Sequence, residues 1–216
     1  MAYFDNTYDS FRGMIAQGMK AVRLGSKVCK ICNHGPTNTY LLATPIGEMV
    51  LVSCPKGIHS LSQVESITDD NFQPDSSTVI HVISQLYQDN GYTYRPALSC
   101  IKWLEEYFKT PGQNRELIQP PFCPSITKED KFMGKVWKIL PEKIPFGHTI
   151  SYCSLAGLCG NQRASRAVGQ AMRTNPIQLI IPCHRVVQAS GKLGNYSGGS
   201  KNRVKLWLLQ HENALR

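Results

Sequence analysis

Three prolines within five residues, in Gln119-Pro120-Pro121-Phe122-Cys123-Pro124, constrain the fold of this chain more than any other feature. Proline fixes φ and supplies no backbone N–H, so neither a helix nor a central strand runs through such a stretch. By composition it is a stiff linker, and it divides the 216 residues into two unlike parts.

Before the linker, apolar residues alternate or cluster over 40–43, 48–53 and 57–64, around the turn signals Thr44-Pro45-Ile46-Gly47 and Pro55-Lys56-Gly57. These segments predict strands of a small sheet. Val79, Ile80, Ile83, Leu86 and Tyr87 recur at helical spacing, as do Ile101, Leu104, Tyr107 and Phe108, which predicts two helices. Residues 1–36 show weak periodicity and read as an extension, at most partly ordered.

Beyond the linker the pattern is mostly helical. Residues 130–140 are amphipathic, with Phe132, Val136 and Ile139 on one side. Thr149 or Ser151 can cap a short helix running to Cys159, which Gly160-Asn161 ends. A second helix over 162–173 must stop before Asn175-Pro176, because proline pushes the residue before it out of helical geometry. Helix, short glycine-containing turn, helix is the outline of a helix-turn-helix. Residues 178–187 read as a buried strand interrupted by Pro182, 191–199 as a glycine-rich loop, and 203–212 as a final helix. The fold class expected is α+β. Residues 37–124 form a small mixed sheet-and-helix domain, and 125–216 a mostly helical domain with a winged-helix-like helix-turn-helix. No internal repeat is visible.

The net charge of +9 is unevenly placed. The last 92 residues hold 14 Lys plus Arg against 4 Asp plus Glu, and the first 124 hold 10 against 11. A basic excess confined to one part of a chain fits a polyanionic partner. No run of 18 apolar residues exists, which argues against a membrane span. The polar first twenty residues argue against a secretory signal. An intracellular protein is expected, its eight cysteines reduced thiols or metal ligands rather than disulfides.

Two local features add chemistry. On the second helix, Ala164, Ser165, Ala167, Gly169 and Ala171 make a small-residue face, with Arg166 among them. Such a face suits tight helix packing or close approach to a nucleic-acid groove, and the basic setting favours the groove. The other feature is Ile180-Ile181-Pro182-Cys183-His184-Arg185-Val186. A free thiol is only a few per cent ionised at neutral pH. The histidine and arginine that follow Cys183 are expected to favour thiolate, with His184 as its base, directly or through one water. His184 would need a third group to fix its tautomer, and the residues alone do not identify it.

Pro182-Cys183-His184-Arg185-Val186, with Asn175 upstream and Gly194-Asn195-Tyr196-Ser197-Gly198-Gly199 downstream, resembles the O6-alkylguanine-DNA alkyltransferases (methylated-DNA–protein-cysteine methyltransferases). The likeness is strong over 146–212 and weaker upstream to Thr44. It implies repair of double-stranded DNA by direct reversal. One alkyl group passes irreversibly from O6-alkylguanine, and from O4-alkylthymine, to Cys183 after the nucleotide is flipped.

By this resemblance His184 deprotonates Cys183 through a water, and Glu212 is the carboxylate partner of that histidine. Asn175 is a hinge, and Tyr152 flips the nucleotide and supplies a proton to guanine. Arg166 fills the gap left by the flipped base, and Ala164, Ser165, Ala167, Gln170 and Arg173 complete the DNA-facing helix. Cys183 and Val186 read the guanine through backbone groups, with Ser197, while Tyr196 and Asn195 wall the pocket. Catalysis would need no cofactor, and the protein would act as a monomer in the nucleus.

Some eukaryotic members of that family hold a structural zinc. Cys54 and His59 match two of its ligand positions, but the other two do not match. Cys123 and one of Cys29, Cys32 or His34 would have to complete the set. Three rival functions are weaker. A non-catalytic binder of alkylated DNA would lack the acceptor, which is present as Cys183. A regulatory DNA-binding protein that senses alkylation would call for an extra DNA-binding module, and none is visible. A cysteine hydrolase built on Cys183 and His184 would leave the helix-turn-helix unexplained.

Overall fold

The computed structural model describes residues 32–87, 93–109, 117–126 and 131–215. Four antiparallel strands, β1 (Asn38–Ala43), β2 (Met49–Cys54), β3 (Gly57–Gln63) and β4 (His81–Tyr87), form a sheet in the order β3-β2-β1-β4. The expected alternation is clearest in β1, where Asn38, Tyr40 and Leu42 are buried and the residues between them are not fully so. Helix α1 (Arg95–Lys109) lies against β2 and β3 and buries Ala97, Cys100, Leu104, Tyr107 and Phe108. These residues fall on one face by the 3.6-residue period. Most of the 1–36 extension lies outside the described residues.

The helix expected around Val79–Tyr87 is instead the edge strand β4, paired to β1 with a bulge between Leu41 and Leu42. Both sides of this strand face solvent from His81 to Leu86. With no face buried, its apolar residues obey no period-2 pattern, and seven residues with apolar Val82, Ile83, Leu86 and Tyr87 fit either template.

The opposite edge, β3, is covered by other parts of the chain. The linker docks on it through Ile58 N donating to the Pro121 carbonyl (2.9 Å) and Cys123 N donating to the Ile58 carbonyl (2.9 Å). Gly57 makes this approach possible, since a Cβ there would lie 2.4 Å from both Cys123 N and the Phe122 carbonyl carbon. Further along β3, Leu61 N donates to the Pro176 carbonyl (3.0 Å) and Gln178 N to the Leu61 carbonyl (2.8 Å). The sheet edge thereby anchors the segment that leads to Cys183, and unpaired strand groups are satisfied.

Beyond the linker come α2 (Phe132–Lys143), β5 (Ile150–Ser151), α3 (Tyr152–Leu158), α4 (Ser165–Arg173), β6 (Val186–Val187) and α5 (Asn202–His211). Helix α2 runs through Pro141, three residues beyond the end expected from sequence. Ser151 caps α3 by accepting from Ser154 N (3.0 Å). Helix α4 begins at Ser165 rather than Gln162, because the Asn161 side chain accepts from Arg163 N (3.2 Å) and holds a turn. Helices α3 and α4 pack together, and α2 backs them through Trp137 Nε1 donating to the Ala171 carbonyl (2.8 Å).

The cap of α5 comes from the other side of the linker. Asp69 accepts from Asn202 N (3.0 Å) and Arg203 N (2.7 Å), and the Lys201 ammonium donates to the Val64 carbonyl (2.7 Å). One apolar cluster runs from Tyr40, Leu51 and Leu104 through Leu140 and Ile177 to Leu208.

Candidate active site

The segment expected to be a buried strand over 178–187 is mostly a succession of tight turns. Ile180 N donates back to the Gln178 carbonyl (2.9 Å) across Leu179, whose φ of 69° is left-handed. Cys183 N donates to the Ile181 carbonyl (2.8 Å) across Pro182, at φ −81° and ψ 64°. Both are three-residue γ-turns, the first of the strained kind. Only Val186 and Val187 form strand, pairing with β5. The apolar run signalled burial correctly; Pro182 lacks an N–H, and the turns consume the backbone groups that a ladder would use.

The Asn175 carboxamide braces the turns. Its nitrogen donates to the Ile181 carbonyl (2.8 Å), its oxygen accepts from Ile177 N (2.9 Å), and it also bonds the Cys183 side chain. A 3₁₀ turn, Cys183–Arg185, follows and aims successive side chains in different directions.

Cys183, only 5% exposed, borders a pocket of about 340 Å³. Tyr152 at the start of α3, Met172 and Arg173 of α4, Asn175, and Asn195, Tyr196 and Ser197 of the glycine loop line the same pocket. Val186 does not line it; its side chain is buried, and its carbonyl accepts from the Lys205 ammonium (2.7 Å). Arg166, Gln170 and Arg173 are exposed on α4, with Ala164, Ser165 and Ala167 half-buried beside them. The small-residue face divides: Ala171 packs into the core, while Gly169 opens on the pocket.

Behind Cys183, His184 is fully buried, with Nε2 lying 2.7 Å from Glu212 Oε1. The carboxylate assigns the imidazole proton to Nε2 and leaves Nδ1 as an acceptor. Nδ1 is buried and has no hydrogen-bond partner among the described residues. Burial by itself would raise the Glu212 carboxyl, but His184 and Arg185 more than reverse this and hold it well below the usual carboxylate range.

The expectation that neighbouring charge favours a Cys183 thiolate is corrected. Burial dominates and raises the thiol, against lowering contributions from Asn175, Tyr196 and Lys205. Arg185 does not face the sulfur; its guanidinium bonds both Glu212 oxygens (Nε–Oε2 2.8 Å, Nη2–Oε1 3.0 Å). Burial also lowers His184, opposed by Glu212. The resting pair is therefore neutral thiol and neutral imidazole, with Nδ1 free to accept a proton.

Three participants escaped sequence reasoning. Arg185 was legible only as a charge in the motif. Tyr107 looked like helix core, yet its hydroxyl donates to Glu212 Oε1 (2.8 Å). Lys205 carries a helical-period signal, one position from Val204 and three before Leu208. It is 1% exposed, and burial lowers its pKa to about 8 while Cys183 opposes the shift.

A second cluster joins Cys32, Cys54, His59 and Cys123, all buried, with ligand atoms within 4.8 Å of one another. Cys123 Sγ lies 3.7 Å from both Cys32 Sγ and Cys54 Sγ. Sulfurs bound tetrahedrally to zinc at ~2.3 Å would stand about 3.8 Å apart. His59 Nε2 is buried without a hydrogen-bond partner among the described residues, and burial lowers its pKa, which keeps it neutral as a ligand must be. The donor set fits a structural zinc. His34 is exposed and outside the cluster, and Cys29 lies outside the described residues.

Residues 131–214 match the family model described as "6-O-methylguanine DNA methyltransferase, DNA binding domain". The chain is similar to the mouse methylated-DNA–protein-cysteine methyltransferase, 39% identical over 173 residues, covering 80% of this chain and 79% of that protein. The Shigella flexneri enzyme of the same name is 33% identical over 177 residues, covering 81% and 94%. Among solved structures, Mycobacterium tuberculosis OGT in complex with DNA is similar at 30% identity and a TM-score of 0.55, covering 81% of this chain and 92% of that one.

Proposed function

The chain belongs to the methylated-DNA–protein-cysteine methyltransferase family, and we propose that Cys183 is the residue that accepts the alkyl group when it repairs DNA. The repair is a direct reversal: the alkyl group leaves guanine O6 in DNA and ends on a cysteine of the protein. The observation that best supports Cys183 is the buried Glu212–His184 pair behind a thiol that borders a pocket edged by α4.

The residues supply the steps as follows. With the lesion nucleotide flipped into the pocket, the Cys183 proton passes through a water to His184 Nδ1, and Glu212 stabilises the imidazolium. Sγ attacks the alkyl carbon, the S–C bond forms as the C–O6 bond breaks, and guanine leaves with the electron pair on O6. Burial raises the Tyr152 hydroxyl, so Tyr152 serves the departing oxygen as a hydrogen-bond donor. The thioether has no leaving route, so each molecule acts once; O4-alkylthymine fits the same chemistry. Arg166 fills the space vacated in the duplex. No cofactor takes part.

Cys32, Cys54, His59 and Cys123 would hold a structural zinc that fastens the linker to the sheet. Fewer than about half an equivalent of zinc per purified chain would end that proposal. The substrate and the eukaryotic relatives support work in the nucleus, and the linker supports a division into 37–124 and 125–216. Among the described residues no helix is long and apolar enough to cross a membrane.

Intact-mass spectrometry after incubation with duplex O6-methylguanine tests the acceptor. One methyl per chain, mapped to Cys183 and absent in Cys183→Ala while that variant still binds the duplex, is the expected result. Methylation elsewhere, or tight binding without mass gain, would overturn it.

A further inference from the structure

Glu212 is buried to 1% exposure and gathers donors from three directions. Its Oε2 faces Arg185 Nε (2.8 Å) and Gly147 N (3.4 Å). Its Oε1 takes His184 Nε2 (2.7 Å), Arg185 Nη2 (3.0 Å) and the Tyr107 hydroxyl (2.8 Å). All but the last come from 144–212; Tyr107 comes from α1, before the linker and outside the matched residues 131–214. Its ring is clamped by Trp103, stacked at 5.1 Å, by Phe146 at 5.8 Å and by His211 at 5.3 Å. A phenol so held, 2% exposed, has little freedom to turn its proton elsewhere.

We propose that Tyr107 is a positioning residue for alkyl transfer, acting through Glu212: its hydroxyl fixes Oε1 against His184 and shares the charge that the carboxylate presents to the imidazole. The chemistry of the C-terminal part then depends on one atom supplied from before the linker. The proposal rests on Glu212 partnering His184 in the reaction.

Removing the hydroxyl has a definite sign. Oε1 loses a donor and carries more charge toward His184 Nε2–H. The imidazolium is thereby stabilised, His184 protonates at higher pH, and Nδ1 is lost as an acceptor over a wider range. Oε1 also becomes freer to move.

The test is single-turnover transfer from an O6-methylguanine duplex, followed against pH, for the native protein, Tyr107→Phe, Glu212→Gln and the double variant. Because each molecule reacts once, the end point counts folded acceptors, and the rate constant is unaffected by any misfolded fraction. In Tyr107→Phe, the freed Oε1 should let the imidazole drift out of line, and this loss of positioning should outweigh the stronger base and slow transfer about five- to tenfold near neutral pH. The acid limb of its profile should move up by about half a pH unit or more. In the Glu212→Gln background, Tyr107→Phe should change the rate less than about twofold. A Tyr107→Phe profile that superimposes on the native one overturns the proposal, as does full additivity of the two substitutions. A Glu212→Gln protein that transfers at the native rate would instead overturn the underlying role of Glu212.

Discussion

Arg185 and Glu212 show how a buried charge is made tolerable. Glu212 has no exposed side-chain surface, which is costly for an anion unless it is paired and hydrogen-bonded. Arg185 answers both oxygens and turns its remaining nitrogen to the Ile144 carbonyl (2.7 Å). The cluster thus ties α5, the cysteine segment and the end of α2 together. Because the Glu212 carboxyl is held far below its unfolded value of about 4.3, its stabilising contribution is complete at neutral pH. That contribution fades as pH falls below about 4.3 toward the folded value. Glu212→Gln should therefore melt lower than the native protein at pH 7, by the equivalent of about 3 kcal/mol, and the gap should narrow progressively below about pH 4 while staying partly open at about pH 3. Thermal scans across that range check it, and a gap that does not change with pH would contradict it. The sequence pointed to Cys183 and His184 through their motif, and to Glu212 only through resemblance. It hid Arg185 and Tyr107 because hydrogen bonds spanning 27 and 105 residues leave no local pattern.

Elements fail or succeed as sequence predictions according to what buries them. Strands β1 to β3 have a buried face, and their alternation located them. Strand β4 has none, and the spacing of Ile83, Leu86 and Tyr87 fits a helix. The cysteine segment is buried on every side, so its apolar run predicted a strand while Pro182 and the γ-turns made one impossible. Long-range caps are equally invisible, since nothing near Lys201 announces that Asp69 will cap α5. Asp69→Ala should lower stability by about 1 kcal/mol, read as a shift in the urea midpoint at constant m. An unchanged midpoint would mean that solvent satisfies those amides as well. The linker makes a harder demand on Gly57, where an alanine Cβ meets backbone at 2.4 Å. Gly57→Ala should displace Phe122 and Cys123 and cost about 2 kcal/mol. It should also lower the zinc content of the purified protein. Native zinc content with native stability would show that the linker can move aside.

At the scale of the whole molecule, the exposed Arg166 and Arg173 lie on α4, the helix that borders the pocket. On the proposed reading, charge draws the protein to any DNA and the pocket selects the lesion, so the two contributions should separate in measurement. Binding to undamaged duplex should weaken linearly in log–log form as salt rises. Replacing one arginine that contacts phosphate should reduce that slope by about 0.9. Arg173 sits exposed on the last turn of α4, at the pocket rim, and Arg173→Ala should flatten the slope by about that amount. Lys109, exposed at the end of α1 before the linker, is the control, and Lys109→Ala should leave the slope unchanged. Arg166 belongs to the other contribution. If it fills the vacated space, Arg166→Ala should slow repair at least severalfold at saturating DNA, because the flipped state loses its wedge and the base falls back into the stack. Single-turnover rates in excess duplex separate this from affinity. A native rate at saturation, with only weaker binding at low DNA, would assign Arg166 to the phosphates and leave the vacated space to another side chain of α4.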